Sequence, residues 1–222
     1  NGFIKSIIYV KPSIELIKNN IINYVYSIID IVIKYDYSNT IKIAEFGLLI
    51  DKSFNDWLFE NSNDNDKLKY GLTLLENDIS YDIYQKIKHL ISKQQIINLI
   101  DTYKKNDTNI NIDIINILFD IKEYHKILNI IEQYNYPTDE LYHITNQLIQ
   151  NNFIYKTMPK YLKKIIENPL LKKKSSDYYL SINFLKLYKI YINNIDSFNI
   201  YLKYLTSTYC NLIKFQKLLN DL

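Results

Sequence analysis

Glycine and proline are scarce in this chain: among its 222 residues there are three glycines and four prolines. All-β folds need a turn about every 8–12 residues, and glycine and proline supply most of those turns. An apolar pattern with the period of a helix recurs along most of the sequence, whereas no alternating strand pattern persists. These two features together predict an all-α fold.

The helical period predicts thirteen helices joined by short connections, an arrangement typical of antiparallel helix hairpins. The first helix is expected to turn its isoleucines inward, namely Ile14, Ile17, Ile21, Ile22, Ile28 and Ile29. Its apolar stretch is interrupted by polar residues and is shorter than the roughly 20 residues of a membrane span. The predicted helices lie near 12–35, 40–50, 53–60, 67–76, 80–92, 94–105, 111–120, 122–134, 138–151, 153–167, 176–193, 195–208 and 210–221.

The clearest loop signal is the run 61–66, in which every residue is polar and turn-prone. We therefore expect an N-terminal helical region over 1–60, a polar linker over 61–66, and a helical-repeat region over 67–222. Thr138 and the pair Ser176-Asp177 are predicted to cap the helices that follow them. Further breaks are expected at 106–109, 136–139, 151–152, Asn168-Pro169 and Ser175-Ser176-Asp177.

Residues 120–152 resemble tetratricopeptide and pentatricopeptide repeats. In this segment a helix ends, the turn Tyr136-Pro137-Thr138-Asp139 follows, and the next helix opens with Tyr142, Ile144 and Leu148. The resemblance implies helix hairpins stacked as an irregular α-solenoid. The candidate repeat starts are spaced 31, 26 and 38 residues apart, at Asp82, Asp113, Asp139 and Asp177, so an irregular helical bundle is the alternative.

No catalytic, cofactor or metal motif is found in the sequence. The three histidines, His89, His125 and His143, lack the spacing of a zinc or nucleophile motif, and three glycines cannot form a phosphate-binding loop. Cys210 is the single cysteine, which excludes an intrachain disulfide and favours an intracellular, cytoplasmic or organellar location. We expect a non-enzymatic protein without a cofactor or a small-molecule substrate. An unrecognised small helical enzyme, such as a nuclease, is an alternative.

Positive charge gathers at the end of the chain. Residues 151–222 hold 12 lysines against four carboxylates, whereas residues 51–150 hold ten lysines against 16 carboxylates. This asymmetry indicates an anionic partner. The residues predicted to contact it are Lys160, Lys163, Lys164, Lys172, Lys173 and Lys174, with Tyr161 and Tyr178 beside them.

Two kinds of partner fit this basic segment. One is an acidic protein surface, which fits the function that we expect for the chain, that of a scaffold or adaptor subunit in a larger macromolecular assembly. The alternative is RNA in a ribosomal or organellar particle, because lysines bind phosphates and tyrosines stack on bases. All 27 basic residues are lysines and 22 residues are tyrosines, as an AT-biased genome would produce, so some of these residues need no partner.

Overall fold

The computed structural model describes residues 14–103, 110–153 and 155–220, and over these residues the chain is all-α, as predicted. Thirteen α-helices and no strand are found in these ranges. Each predicted helix is present, with its ends displaced by a few residues. The helices divide between two compact units, Asn1–Lys105 and Asn106–Leu222.

Unit 1 contains six helices. Contacts run between consecutive helices from α1 to α5, which is the order expected for stacked hairpins. The bounds are α1 Ile14–Val32, α2 Tyr37–Leu48, α3 Phe54–Asn61, α4 Asp64–Asn77, α5 Tyr81–Ile87 and α6 Lys93–Thr102.

Unit 2 is organised around one central helix, α11. This helix buries residues around most of its circumference and contacts α9, α10, α12 and α13. The predicted α-solenoid and its alternative, an irregular helical bundle, both remain predictions. The bounds are α7 Ile112–Asp120, α8 Tyr124–Ile131, α9 Asp139–Gln150, α10 Met158–Leu171, α11 Tyr178–Ile192, α12 Ile195–Thr208 and α13 Ile213–Asn220.

Small residues allow α2 and α3 to approach closely in unit 1. Ala44, the only alanine, is fully buried, and Gly47 follows it by one helical turn. A Cβ atom on Gly47 would lie 2.8 Å from the ring of Phe54, which is itself fully buried and stacked on Tyr26 at 4.3 Å. The packing of the Phe54 ring against α2 therefore requires a glycine at position 47, although glycine weakens a helix.

The predicted linker 61–66 joins two helices that pack directly on each other. Helix α3 ends at Asn61 and α4 begins at Asp64, after the side chain of Asn63 accepts a hydrogen bond from the N–H of Asp66. Buried Asn55 on α3 donates to the carbonyl of Tyr70 on α4, at 3.0 Å. The run is thus a capped turn inside unit 1. The division between the two units instead falls after Lys105, at the edge of the predicted break 106–109, which lies outside the described residues.

Side-chain caps begin many of these helices. Isoleucine, tyrosine and asparagine have modest helix propensity, so a defined start matters. The prediction for Thr138 is confirmed, since its hydroxyl accepts from the N–H of Leu141 at 3.2 Å. The prediction for Ser176-Asp177 is wrong: residues 175–177 form a 3-10 turn, and Asp177 precedes α11 without a side-chain cap bond. Comparable cap bonds are made by Asp36, Asn63, Ser80, Ser92, Asn111 and Asn194.

Several helices end without the glycine that usually adopts the left-handed conformation. Lys122, Asn152 and Lys173 take that place after α7, α9 and α10, with φ values of 59°, 55° and 55°. After α10, the N–H of Lys174 donates to Pro169 O at 2.9 Å and that of Lys173 to Leu170 O at 3.1 Å. This is the Schellman pattern, and its bonds satisfy carbonyls at the helix end.

The predicted break at Asn168-Pro169 is wrong, because Pro169 lies inside α10. Proline lacks an N–H, so the last turn forgoes one hydrogen bond to Ile165. Pro169 is buried, and its carbonyl accepts the bond from Lys174 that closes the helix. Burial and this closing bond keep the proline helical.

The predicted inward face of α1 is partly wrong. Ile29 is buried as predicted, and Ile22 and Ile28 are half-buried, but Ile17 and Ile21 are 47% and 43% exposed. The side chain of Ile14 lies outside the described residues, and Val25, which was not predicted to face inward, is buried. Helix α1 has more apolar residues than its contacts with the rest of unit 1 can bury. Among the described residues, no helix is both long and apolar enough to cross a membrane.

We expect Gly47→Ala to destabilise the protein by about 1–3 kcal/mol, because the new methyl group overpacks the Phe54 ring. The loss should appear as a lower urea midpoint. Lys42→Ala, at an exposed position of the same helix, is the control and should change stability by less than about 0.5 kcal/mol. A stabilised Gly47→Ala variant would show that helix propensity outweighs the packing.

We expect Lys122→Gly to stabilise the protein by about 0.5–1 kcal/mol. Glycine relieves the left-handed strain of about 1–2 kcal/mol, and the greater freedom of the unfolded chain offsets part of that gain. Lys203→Gly, inside α12, should instead lower the free energy of unfolding by about 1 kcal/mol. Equal losses in both variants would contradict the strain at Lys122.

Candidate interaction surface

Helix α10 holds four of the eight predicted contact residues, and three more follow directly after its end. Pro159 in its first turn favours the helix start, because the absent N–H of proline has no helical partner there. Lys160, Lys164 and Lys172 follow at multiples of four residues, so they lie along one side of α10 and its end. The opposite side is buried, as Leu162 and Ile166 show.

The connection between α8 and α9 borders this side of α10 and is fastened to it by hydrogen bonds. Lys164 Nζ donates to the Glu132 carbonyl at 3.2 Å, and Asn168 Nδ2 donates to the Asn135 carbonyl at 2.6 Å. The hydroxyl of Thr157 donates to Glu132 Oε1 at 2.5 Å. A pocket of about 320 Å³ lies here, lined by Glu132, Thr157, Lys160, Tyr161 and Lys164.

At the end of α10, two lysines share one aromatic ring. Lys172 Nζ and Lys174 Nζ lie 4.7 and 4.8 Å from the centre of the Tyr136 ring. Lys174 also pairs with Asp177 at 3.7 Å. Lys173 is exposed at the left-handed position between them. These contacts place three ammonium groups at one helix end.

We use the name basic edge for the five lysines of this side, which are Lys160, Lys164, Lys172, Lys173 and Lys174. All five are exposed, and among the described residues only Lys174 forms an ion pair. The nearby carboxylates are those of Glu132 and Asp177. The basic edge therefore keeps a net positive charge, as the sequence predicts.

Three of the predicted contact residues do not belong to this edge. Tyr161 and Tyr178 are each 3% exposed and lie in the core of unit 2, so neither ring is available for stacking on a base. Their place in the predicted site is wrong because they occupy core-facing positions of α10 and α11. Lys163 points toward α11 and α12, with its Nζ 4.7 Å from the Tyr201 ring and 5.6 Å from the Tyr188 ring.

The side of α10 that holds Lys163 contains a cluster that sequence reasoning missed. Glu167 accepts hydrogen bonds from the hydroxyls of Tyr201 at 2.8 Å and Tyr204 at 3.3 Å. Burial, followed by the Glu167 charge, raises the pKa of Tyr201 well above its usual range. Glu167 lies 34 residues before Tyr201 and 37 before Tyr204, so no local pattern could have joined it to them. With Lys163, Ser197 and Ile200 they line a pocket of about 400 Å³.

The three histidines lie outside α10, in α8 and α9 and just after α5. His89, His125 and His143 are all exposed, and His125 packs edge-on against Phe153 and Tyr155 at 4.9 and 4.7 Å. Within the described ranges, no group of three or more His, Cys, Asp or Glu side chains could hold a metal ion. The candidate surface is therefore the basic edge.

The raised pKa of Tyr201 predicts a loss of stability at alkaline pH. An unfolded tyrosine ionises near pH 10, while folded Tyr201 keeps its proton, so the contribution of Tyr201 to stability is constant below about pH 10 and falls above it. In urea unfolding, Tyr201→Phe should lose less stability than the wild type between about pH 9 and 11. Tyr179→Phe, which alters an exposed ring, should retain the wild-type dependence. Identical pH dependence in all three proteins would contradict this role of Tyr201.

Comparison with known proteins adds no relative. No protein-family model, curated protein or solved structure matches this chain. Its function is therefore argued from the charges, exposure and contacts of the basic edge.

Proposed function

We propose that this chain is a scaffold or adaptor subunit whose basic edge docks onto an acidic surface of another protein in a larger assembly. The observation that supports this proposal is the row of exposed lysines along α10 and just after its end, of which only Lys174 is ion-paired within the described residues. That the role is binding rather than catalysis stays a prediction from the motifs that the sequence lacks.

The neighbourhood of the basic edge fits a protein partner. Exposed ion pairs contribute little affinity, about 0–1 kcal/mol each, so an interface also needs apolar anchors. Leu171 directly precedes Lys172 in the chain and Tyr179 follows Lys174 by five residues, and their side chains are 65% and 64% exposed. Charge around an apolar contact is the usual anatomy of a protein–protein interface. The charges would guide association and Leu171 would supply contact area.

RNA is the second candidate, and the exposed ring of Tyr179 is the observation that favours it. A ring beside lysines can stack on a base while the ammonium groups contact phosphates. Against RNA stands the burial of Tyr161 and Tyr178, which removes two of the rings predicted to stack. The absence of arginine also removes the side chain best suited to bidentate phosphate contacts.

The docking proposal predicts that neutralising the basic edge weakens binding to an acidic peptide. The probe is a decaglutamate peptide, and the variant carries glutamine at all five lysines of the edge. Its affinity should fall about tenfold or more, because several charge contacts are lost together. Circular dichroism verifies that the variant is folded. The control has the same charge change at five exposed lysines outside the edge, namely Lys42, Lys186, Lys203, Lys214 and Lys217, and should bind nearly as wild type.

A single-stranded RNA of equal charge separates the two candidates. Without base stacking, the RNA should bind no more tightly than the peptide, and both affinities should fall steeply between about 50 and 200 mM salt. Binding of RNA at least about tenfold tighter than the peptide, with that advantage lost in Tyr179→Ala, would favour the RNA candidate. An edge variant that binds the peptide as well as the control does would overturn docking through these lysines.

A further inference from the structure

A pocket opens within the basic edge, between α10 and the connection that follows α8. It has a volume of about 320 Å³, and we name it the edge pocket; its lining residues are Glu132, Thr157, Lys160, Tyr161 and Lys164. Tyr161 is the only buried residue of these five, so it forms the floor, and the other four form the walls. Because Lys160 and Lys164 also belong to the basic edge, a partner that docks on the edge meets this pocket.

Hydrogen bonds hold the walls of the edge pocket together. Glu132 Oε1 accepts from the hydroxyl of Thr157, and the carbonyl of Glu132 accepts from Lys164 Nζ. Further along α10, Asn168 Nδ2 donates to the carbonyl of Asn135 and fastens the same connection. The pocket is therefore preformed, and a preformed pocket costs less free energy to fill than one that must first open.

The groups that line the edge pocket favour an uncharged, apolar side chain. A carboxylate inside it would meet the negative charge of Glu132, whereas a cationic group would meet the ammonium groups of Lys160 and Lys164. The Thr157 hydroxyl already donates its hydrogen to Glu132, and the Tyr161 hydroxyl is buried below the surface. Most of the surface inside the pocket belongs to carbon atoms. Apolar contact is thus the main interaction that it offers.

Among apolar side chains, an aromatic ring fits the edge pocket best. The ammonium groups of Lys160 and Lys164 at its walls can contact the face of a bound ring as cation–π pairs. The same contact occurs within the chain at the end of α10, where Lys172 and Lys174 lie over the Tyr136 ring. A nucleobase is also a ring, but its polar edge needs hydrogen-bond donors that this pocket lacks.

Acidic residues next to such an aromatic side chain can reach the rest of the basic edge. Twelve residues along α10 separate Lys160 from Lys172, a rise of about 18 Å. An extended chain covers about 3.3 Å per residue, so about five or six residues span this length. A short acidic segment that leaves the pocket can therefore place carboxylates beside the lysines at the end of α10.

We propose that the edge pocket receives an aromatic side chain of the protein partner, and that acidic residues on either side of it pair with the basic edge. This inference rests on the proposed docking function and specifies the segment that the partner would carry. An aromatic anchor in a pocket, with charges around it, is the arrangement that concentrates binding energy at protein interfaces.

Two peptides of equal length and charge test the proposal, one with phenylalanine and one with alanine between two runs of five glutamates. The phenylalanine peptide should bind the full chain about tenfold or more tightly, because its ring is removed from water. Thr157→Phe puts a ring of the protein at the pocket wall and should reduce this ratio of affinities to about one. Thr208→Phe, the same exchange at an exposed position of α12, is the control and should keep the ratio.

Photo-crosslinking locates the bound ring without a protein variant. A phenylalanine peptide whose ring is replaced by a benzophenone should crosslink to Glu132 or to residues 157–164. Equal affinities of the two peptides for the wild type, a ratio that Thr157→Phe leaves unchanged, or crosslinks confined to other residues overturn the proposal. A single-stranded RNA of equal charge that loses more affinity through Thr157→Phe than the phenylalanine peptide does overturns it in favour of a nucleobase.

The alanine peptide distinguishes failure of this proposal from failure of the docking function. If the variant with glutamine at all five lysines of the basic edge weakens the alanine peptide, but phenylalanine adds no affinity, only the occupant of the edge pocket is wrong. If the alanine peptide binds this variant as tightly as the wild type, docking through the basic edge is overturned and this proposal with it.

Discussion

Burial of side chains between helices is the interaction on which this structure depends. Isoleucine, tyrosine and asparagine are abundant in the chain, and none of them stabilises an isolated helix as alanine or leucine does. Short helices in water are marginal even with better residues, so these helices must be stabilised by their neighbours. Helix α11 shows the result most clearly, because four other helices of unit 2 pack around it. Side-chain caps then define where the helices begin.

The helices themselves could be predicted from sequence because apolar periodicity survives a biased composition. Thirteen were expected and thirteen are found in the described ranges, although Ile, Lys and Asn dominate the chain. Which apolar residue faces inward was harder to predict. On α1 isoleucines occupy two faces, and only the packing of unit 1 selects Ile29 rather than Ile21 for burial. Pro169 shows the converse case, in which tertiary contacts keep a helix breaker helical.

The candidate surface was predicted in part. The six lysines between Lys160 and Lys174 were expected on one rim, and the structure separates Lys163, which points toward α11 and α12, from the other five. The tyrosines could not be placed, because a tyrosine has both an apolar ring and a polar end and therefore suits a core as well as a surface. Tyr161 and Tyr178 are in the core, while Tyr179 is exposed. The bonds from Tyr201 and Tyr204 to Glu167 depend on contacts between α10 and α12, which no local sequence pattern encodes.

The left-handed residue at the end of α10 links the end of a helix to the charge of the basic edge. Lys173 holds a backbone conformation that glycine would adopt more easily, and it also contributes charge to the basic edge. Replacement by glycine would favour the fold and remove that charge, so the stability of this helix end and the positive charge of the basic edge change in opposite directions at this one position.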